Sequence, residues 1–296
     1  MHAQNFGTWS TDSLQLKRTA AWLPELCVIE VTGKDAVDFV HGQLTNSIKN
    51  IGSSFRLAAY CQPQGRILSL MRIFKRNDAL YLVMAQDLLE GFMKRFSMFI
   101  LRSDVTLRVA DEMAVAGVIA PEMTLPAMDE VSLEGNITVA RVADADGHQR
   151  AMLVGEKSAI DALVHPNDDA GLWFASDVMA GLPWVGLLTK EAFIPQWINL
   201  DLVGGVVFNK GCYPGQEVIS RVQHIGTTPR RMYRAKIEKA VTIKPNEDIF
   251  VDALPAGNVV MSITSADQTI ALVEITKEAA ATGSVQIQGE TFAVAE

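Results

Sequence analysis

Between Phe208 and Arg221 the chain runs F-N-K-G-C-Y-P-G-Q-E-V-I-S-R, which sets a lysine, a cysteine and a tyrosine among two glycines and a proline. This composition predicts a loop feeding a helix. Pro214 suits a first helical turn, where its missing N–H is not needed, and Gln216 and Glu217 put acceptors beside that turn's free N–H groups. Val218, Ile219 and Val222 give the helix an apolar face. Cys212 is thereby placed just before a helix N-terminus, with Lys210 two residues away. Both features favour the thiolate, the form that acts as nucleophile or metal ligand. Gly211 and Gly215 permit backbone conformations or close approaches that a side chain would block. A buried, inert cysteine in a glycine-rich turn is the alternative reading of the same residues. A Cys212–His224 dyad is disfavoured, because twelve residues of mostly helical chain separate the two by roughly 18 Å.

The run K-G-C-Y-P-G-Q-E resembles the signature K-G-C-Y-x-G-Q-E of the YgfZ family, folate-binding proteins related to Iba-type iron–sulfur assembly factors and to the glycine cleavage T-protein. Phe193-Ile194-Pro195-Gln196, Asn199-Leu200 and Gly204-Gly205 are similar to that family's approach to the signature, and His41-Gly42-Gln43-Leu44-Thr45-Asn46 is similar to its G-Q-[LV]-T element. The resemblance implies an α+β, T-protein-like fold with three domains around a central opening. It also implies a tetrahydrofolate or derivative as cofactor, and a role in assembling or repairing iron–sulfur clusters in client enzymes, tRNA-thiolating enzymes among them. tRNA itself would be met only indirectly. On this resemblance Cys212 is the redox-active residue or a transient metal ligand, with no permanent metal, and Lys210 tunes it. Trp173 and Trp22 are candidates to hold the folate, although the family's second tryptophan aligns at Leu26, four residues after Trp22. Asn199, Tyr213, Gln216, Glu217 and Arg230 complete the candidate cofactor contacts, and Gly211 and Gly215 shape the loop.

The residue patterns supply the elements that must position this loop. Residues 1 to about 20 are polar and expected to be loosely ordered. Trp22 to Val31 is rich in β-branched and apolar residues and predicts one buried strand, and apolar spacing from Lys34 predicts a short helix. Phe55 to Cys61, Arg66 to Phe74 and Ala79 to Met84 are separated by turn compositions, which predicts a β-meander. Asp87 with Glu90 suggests a capping box for a helix burying Leu88, Phe92, Phe96, Phe99 and Ile100. Two strands are expected within Asp104 to Ala120, a hairpin over Ile137 to Val154 and a helix over Lys157 to Val164. The last third reads as short strands broken by Pro, Gly, Asn and Asp, hence a small β-barrel. The domains follow: residues 1–103 with 185–227, residues 104–184, and the barrel over 228–296.

Composition narrows the function. A net charge of −8 argues against a general nucleic-acid binder, which needs a basic surface to displace counterions. The start has neither the cationic nor the apolar region of a signal peptide, and no run is long enough to span a membrane. Three distant cysteines, Cys27, Cys61 and Cys212, form no disulfide framework and suit a reducing cytoplasm. Arg230, Arg231, Arg234 and Lys236 make a locally basic stretch, which is either an ordinary paired surface or a rim for a folate tail or RNA phosphates. The rival activity is a tetrahydrofolate-dependent aminomethyltransferase of the glycine cleavage type. Where that enzyme carries an aspartate pair, this chain resembles it with Ser69 and Leu70, and neither residue is a carboxylate. The protein is therefore expected to bind folate without being an ordinary enzyme.

Overall fold

The structure, a computed structural model, describes residues 6–224 and 228–295. The chain begins with β1 (Thr8–Ser10), β2 (Thr19–Trp22), β3 (Leu26–Thr32) and α1 (Ala36–Gln43). The meander follows as β4 (Arg56–Cys61), β5 (Ile67–Arg76) and β6 (Ala79–Ala85), leading through one 3-10 turn into α2 (Leu89–Ser97). Next come β7 (Thr106–Val109), β8 (Met113–Ile119), β9 (Val131–Glu134), β10 (Ile137–Ala145), β11 (His148–Glu156), α3 (Lys157–Val164) and α4 (Ala170–Met179). A long irregular stretch holding a 3-10 turn at Pro195–Ile198 precedes α5 (Gln216–His224). The last elements are β12 (Arg230–Ile237), β13 (Asp248–Val251), β14 (Leu254–Thr264), β15 (Thr269–Thr276), α6 (Lys277–Ala280), β16 (Ser284–Ile287) and β17 (Glu290–Ala295).

These strands build three sheets. The first has the order β4-β5-β6-β3-β7 and the second β2-β8-β11-β10-β9. The third runs β14-β13-β16-β17-β12-β15 and closes through β14–β15 pairing, so the expected small β-barrel has six strands, with β1 attached outside β14. Trp22 to Val31 is two strands rather than one. Pro24 lies in the break, where it has no N–H to give a ladder, and the two halves enter different sheets. Sheet membership also crosses the expected boundary at residue 103 twice, since the first sheet takes β7 and the second takes β2.

The amino-terminal stretch is held, contrary to the expectation of loose order; residues 1–5 lie outside the described residues. β1 pairs in parallel with β14, Thr8 opposite Ser262. Phe6, Trp9, Leu14 and Leu16 are buried. Trp9 stacks on Phe174 at 3.8 Å, and Phe6 meets Trp9, Phe174 and Trp184 edge-on. Gly186 makes room for this cluster, because a Cβ there would stand 2.6 Å from the Phe6 ring. A polar-looking sequence thus carries two aromatic anchors whose buried area holds the segment in place.

The helix after the meander lacks the expected capping box. No side chain caps α2, and the Asp87 carboxylate instead accepts the Leu187 N–H at 2.8 Å. Phe92 and Phe96 are buried as expected, stacked on each other and edge-on to Tyr60. Phe99 lies beyond the end of the helix and is exposed.

Candidate functional site

The signature loop is fastened at several points. Lys210 Nζ donates to the carbonyl oxygens of His41 and Leu44, both at 2.5 Å, which satisfies orphan carbonyls at the end of α1. The same ammonium sits 4.7 Å from the centre of the Tyr213 ring, and burial lowers its pKa to about 8. Lys210 was expected to act on Cys212; the bonds it makes run to α1. Burial, and next the Lys210 charge, also lower the pKa of His41.

Tyr213 is buried. Burial and then neighbouring Cys61 raise its hydroxyl pKa above the usual tyrosine value. It is an anchor in the core, so it does not offer the ligand contact expected of it. Gly215 has φ +85°, and a Cβ there would stand 2.7 Å from the Gln62 carbonyl oxygen and 2.9 Å from Gly65 Cα. The signature backbone therefore rests directly on the Gln62–Gly65 turn between β4 and β5. Gly211 has open space around its Cβ position and no positive φ, so nothing in the packing demands a glycine there.

The helix starts at Gln216, after Pro214 rather than with it. Ile219 is its buried residue, and the buried Gln196 donates its side-chain amide to the Ile219 carbonyl at 2.7 Å. Glu217 is exposed. Cys212 is exposed as well. The thiol thus sits on the surface between two fixed neighbours, Lys210 on one side and Tyr213 on the other.

The G-Q-L-T-N element and the approach to the signature prove to be one unit. Thr45 Oγ1 donates to the Gly205 carbonyl at 2.7 Å and accepts from the Ala59 N–H, while the Val207 N–H reaches the Thr45 carbonyl. Asn46 Nδ2 spans the carbonyls of Leu57 and Gly204, both at 2.8 Å. Both motifs are visible in the sequence, but neither marks Thr45, Asn46 or Gln196 for these bonds. Their polar types beside apolar strands were the available signal.

The other candidates do not converge on this loop. Trp173 is 1% exposed. It packs on Gly117, where a Cβ would stand 2.2 Å from the indole, and has the Arg150 guanidinium 5.0 Å from its ring centre. Neither face is free to stack on a ligand. Trp22 packs with Ala116 and Val118, which alternate with Gly117 along β8. The two tryptophans therefore lie on opposite faces of the second sheet and cannot line one pocket. Asn199 is at φ +59° and bridges to the barrel, donating to the Met232 carbonyl at 2.7 Å and accepting its N–H.

The basic run is mostly an internally paired surface. Arg231 holds Asp201 through two bonds of 2.6 and 3.0 Å. Arg230 holds the buried Glu274 and lies over Trp197, whose ring also carries Arg66 at 4.6 Å. Lys236 pairs with Glu238. Ser69 and Leu70 are buried, 1% and 0% exposed. Among the described residues no helix is long and apolar enough to cross a membrane.

No family model matches the chain. The tRNA-modifying protein YgfZ of Edwardsiella ictaluri (strain 93-146) is 31% identical over 244 residues, which cover 74% of this chain and 70% of that protein. The chain belongs to the YgfZ family. The tRNA-modifying protein YgfZ of Blochmanniella pennsylvanica (strain BPEN) is 26% identical over 246 residues, covering 77% of this chain and 74% of that one. Among solved structures, the glycine cleavage system aminomethyltransferase T from Bartonella henselae superposes with a TM-score of 0.69 over 94% of this YgfZ-family chain and 84% of its own, at 13% identity. The two share a fold.

Proposed function

We propose that the protein assists the assembly or repair of iron–sulfur clusters in client enzymes, including those that thiolate tRNA, through the thiol of Cys212. The observation that carries this reading is the placement of that thiol, exposed on a loop whose neighbours on both sides are fixed. A buried cysteine reaches no client, and one on a loose loop must be ordered at each encounter, at a cost in binding free energy. Here the residue is exposed and the chain on both sides of it is held. Cys212 serves as a redox group or as a transient ligand to a cluster in transit, and Lys210 contributes by holding the loop on α1. Gln216 and Glu217 open the helix behind it. All three cysteines are free thiols, which supports a reducing, cytoplasmic setting. Contact with tRNA runs through the modifying enzymes, in keeping with the acidic whole.

Tetrahydrofolate or a derivative belongs to this reading through the family and the fold, while five of the seven residues expected to hold it are enclosed or engaged elsewhere in the protein. Trp173 is enclosed, Trp22 lies across a sheet from it, Tyr213 is buried, Asn199 is committed to the barrel backbone and Arg230 to Glu274. The aminomethyltransferase reading is weaker, because Ser69 and Leu70, which the sequence resemblance sets against that enzyme's aspartate pair, are not carboxylates and are buried.

The test is complementation. In cells lacking the protein, Cys212→Ala is expected to leave iron–sulfur enzyme activity unrestored while its melting temperature stays within about 1 °C of wild type, as for an exposed side chain. Full restoration overturns the thiol reading. Titration with tetrahydrofolate tests the cofactor separately. A saturable rise in melting temperature supports it, and none at millimolar ligand removes it while leaving Cys212 in place.

A further inference from the structure

The face of the second sheet that carries Trp22 is covered only in part by α3. Ile160 is buried against it, while Leu163 and Val164, in the last helical turn, are half-buried. The helix stops there because His165 takes a left-handed conformation at φ +46° and Pro166 follows with no N–H to continue it. Beyond this end lies an open cavity of about 410 Å³, within the range of about 300–1,000 Å³ usual for small-molecule sites. Its floor is Ala20 and the cross-strand neighbour Val118. Leu163 and Val164 line it from α3, and Met123 from the loop after β8. Ala20 and Met123 are half-buried too, so the lining presents apolar surface to whatever enters.

Three exposed polar side chains border the same cavity: Arg18, Glu122 and His165. Arg18 Nη1 donates to Glu122 Oε1. With side chains 62% and 73% exposed, this pair contributes little to stability, and it opens at small cost to a ligand that replaces both partners. The imidazole of His165 makes no hydrogen bond among the described residues. A simple anion meets Glu122 at this mouth and a simple cation meets Arg18, so neither is favoured. An uncharged apolar molecule leaves both groups unused.

We propose that this cavity binds a free α-amino acid with an apolar side chain. Its carboxylate takes the guanidinium fork of Arg18, which matches a carboxylate in shape and charge. Its ammonium takes Glu122, and its side chain covers Ala20, Val118 and Met123, where burial of apolar surface contributes the affinity. No residue of the signature loop lines the cavity, and it opens on the opposite face of the sheet from Trp173. The reading of Cys212 and this one therefore stand or fall separately.

The experiment is titration of the isotope-labelled full chain with L-leucine and, separately, L-phenylalanine, followed by amide NMR shifts. Saturable shifts are expected at Thr19, Ala20, Val118 and Ile119 and from Leu163 to His165. Response to leucine alone assigns aliphatic amino acids, response to phenylalanine alone aromatic ones, and response to both the apolar class. N-acetyl-L-leucine lacks the ammonium and L-leucinamide lacks the carboxylate, and each is expected to bind about tenfold more weakly or worse. Glycine, which has both charges and no side chain, is expected to give no saturable shift. Arg18→Gln and Glu122→Gln alter exposed side chains, so both are expected to melt within about 1 °C of wild type and each to weaken the bound amino acid by about tenfold. Absence of saturable shifts with both amino acids, shifts confined to other parts of the molecule, equal binding of glycine or of either blocked derivative, or unchanged affinity in either glutamine variant overturns the proposal.

Discussion

The signature loop and the strand that follows it, β12, are both rich in reactive or charged side chains, and the fold uses them in opposite ways. In the loop the conspicuous neighbours of Cys212 turn inward. Lys210 goes to the carbonyls of α1, Tyr213 to the core and Gly215 to the Gln62–Gly65 turn, and the thiol alone is left at the surface. Along β12 the arginines close on partners within the protein, Arg230 on Glu274 and Arg231 on Asp201. The difference teaches that residue types in a dense run do not say which side chain the surrounding fold leaves unengaged.

The sharpest way to break this contrast is to remove a supporting residue from each side. Arg231→Ala leaves Asp201, whose side chain is 6% exposed, as an uncompensated carboxylate between the barrel and the 199–205 loop. Equilibrium denaturation is expected to show a loss of roughly 3 kcal/mol or more. A loss below about 1 kcal/mol places Arg231 with ordinary surface charges. On the loop side, Gly215→Ala forces a side chain into a left-handed backbone and onto the Gln62 carbonyl. The expected loss is about 2 to 4 kcal/mol, and near-neutrality shows that the loop does not depend on that contact.

How much of this was legible in the sequence differs from residue to residue. The meander, the hairpin and the helix over Lys157–Val164 followed from periodicity and turn composition, because each is stabilised mainly by neighbours close in the chain, and the barrel followed from its short strands and turn residues although β12 pairs there with the distant β15 and β17. The signature was legible as a motif, and Cys212 within it is exposed. The destinations of Lys210 and Asn199 were not legible, because each bonds to backbone carbonyls more than thirty residues away, and a carbonyl leaves no mark on the residue type. Trp173 misled for a related reason. An indole suited to stacking on a flat ligand is equally suited to covering a glycine in a sheet, and only Gly117, 56 positions earlier, distinguishes the two. The anchoring of the amino-terminal stretch was missed because its two aromatic residues stand among polar ones without any period.

A smaller effect sharpens the reading of Lys210. Its pKa in the folded protein is lowered to about 8 from 10.5 by burial, so between those values the unfolded chain binds more protons than the native one. Stability contributed by this group therefore rises with pH across that window and is flat below it. Tyr213 works in the other direction. Its raised pKa means that the unfolded state loses its proton first, which lowers stability as pH passes the ordinary tyrosine range near 10. Comparing wild type with Lys210→Met isolates the lysine, since Tyr213 is common to both. The difference in melting temperature is expected to shift in favour of wild type from pH 8 to 10.5. A difference that does not change with pH shows that Lys210 is solvated like a surface lysine.

The smallest expected effect is the one that separates shape from chemistry within the signature. Gly211 is exposed, has no positive φ and leaves open space where a Cβ would stand, so Gly211→Ala is expected to change stability by no more than about 0.5 kcal/mol. Its position beside Cys212 gives any loss of function a different meaning. An alanine there narrows the approach to the thiol without touching the anchors at Lys210, Tyr213 or Gly215. Complementation that falls while denaturation is unchanged assigns Gly211 to the access of a bulky partner. Complementation that stays whole shows that the partner reaches the thiol from another side, and confines the requirement for glycine in this loop to Gly215.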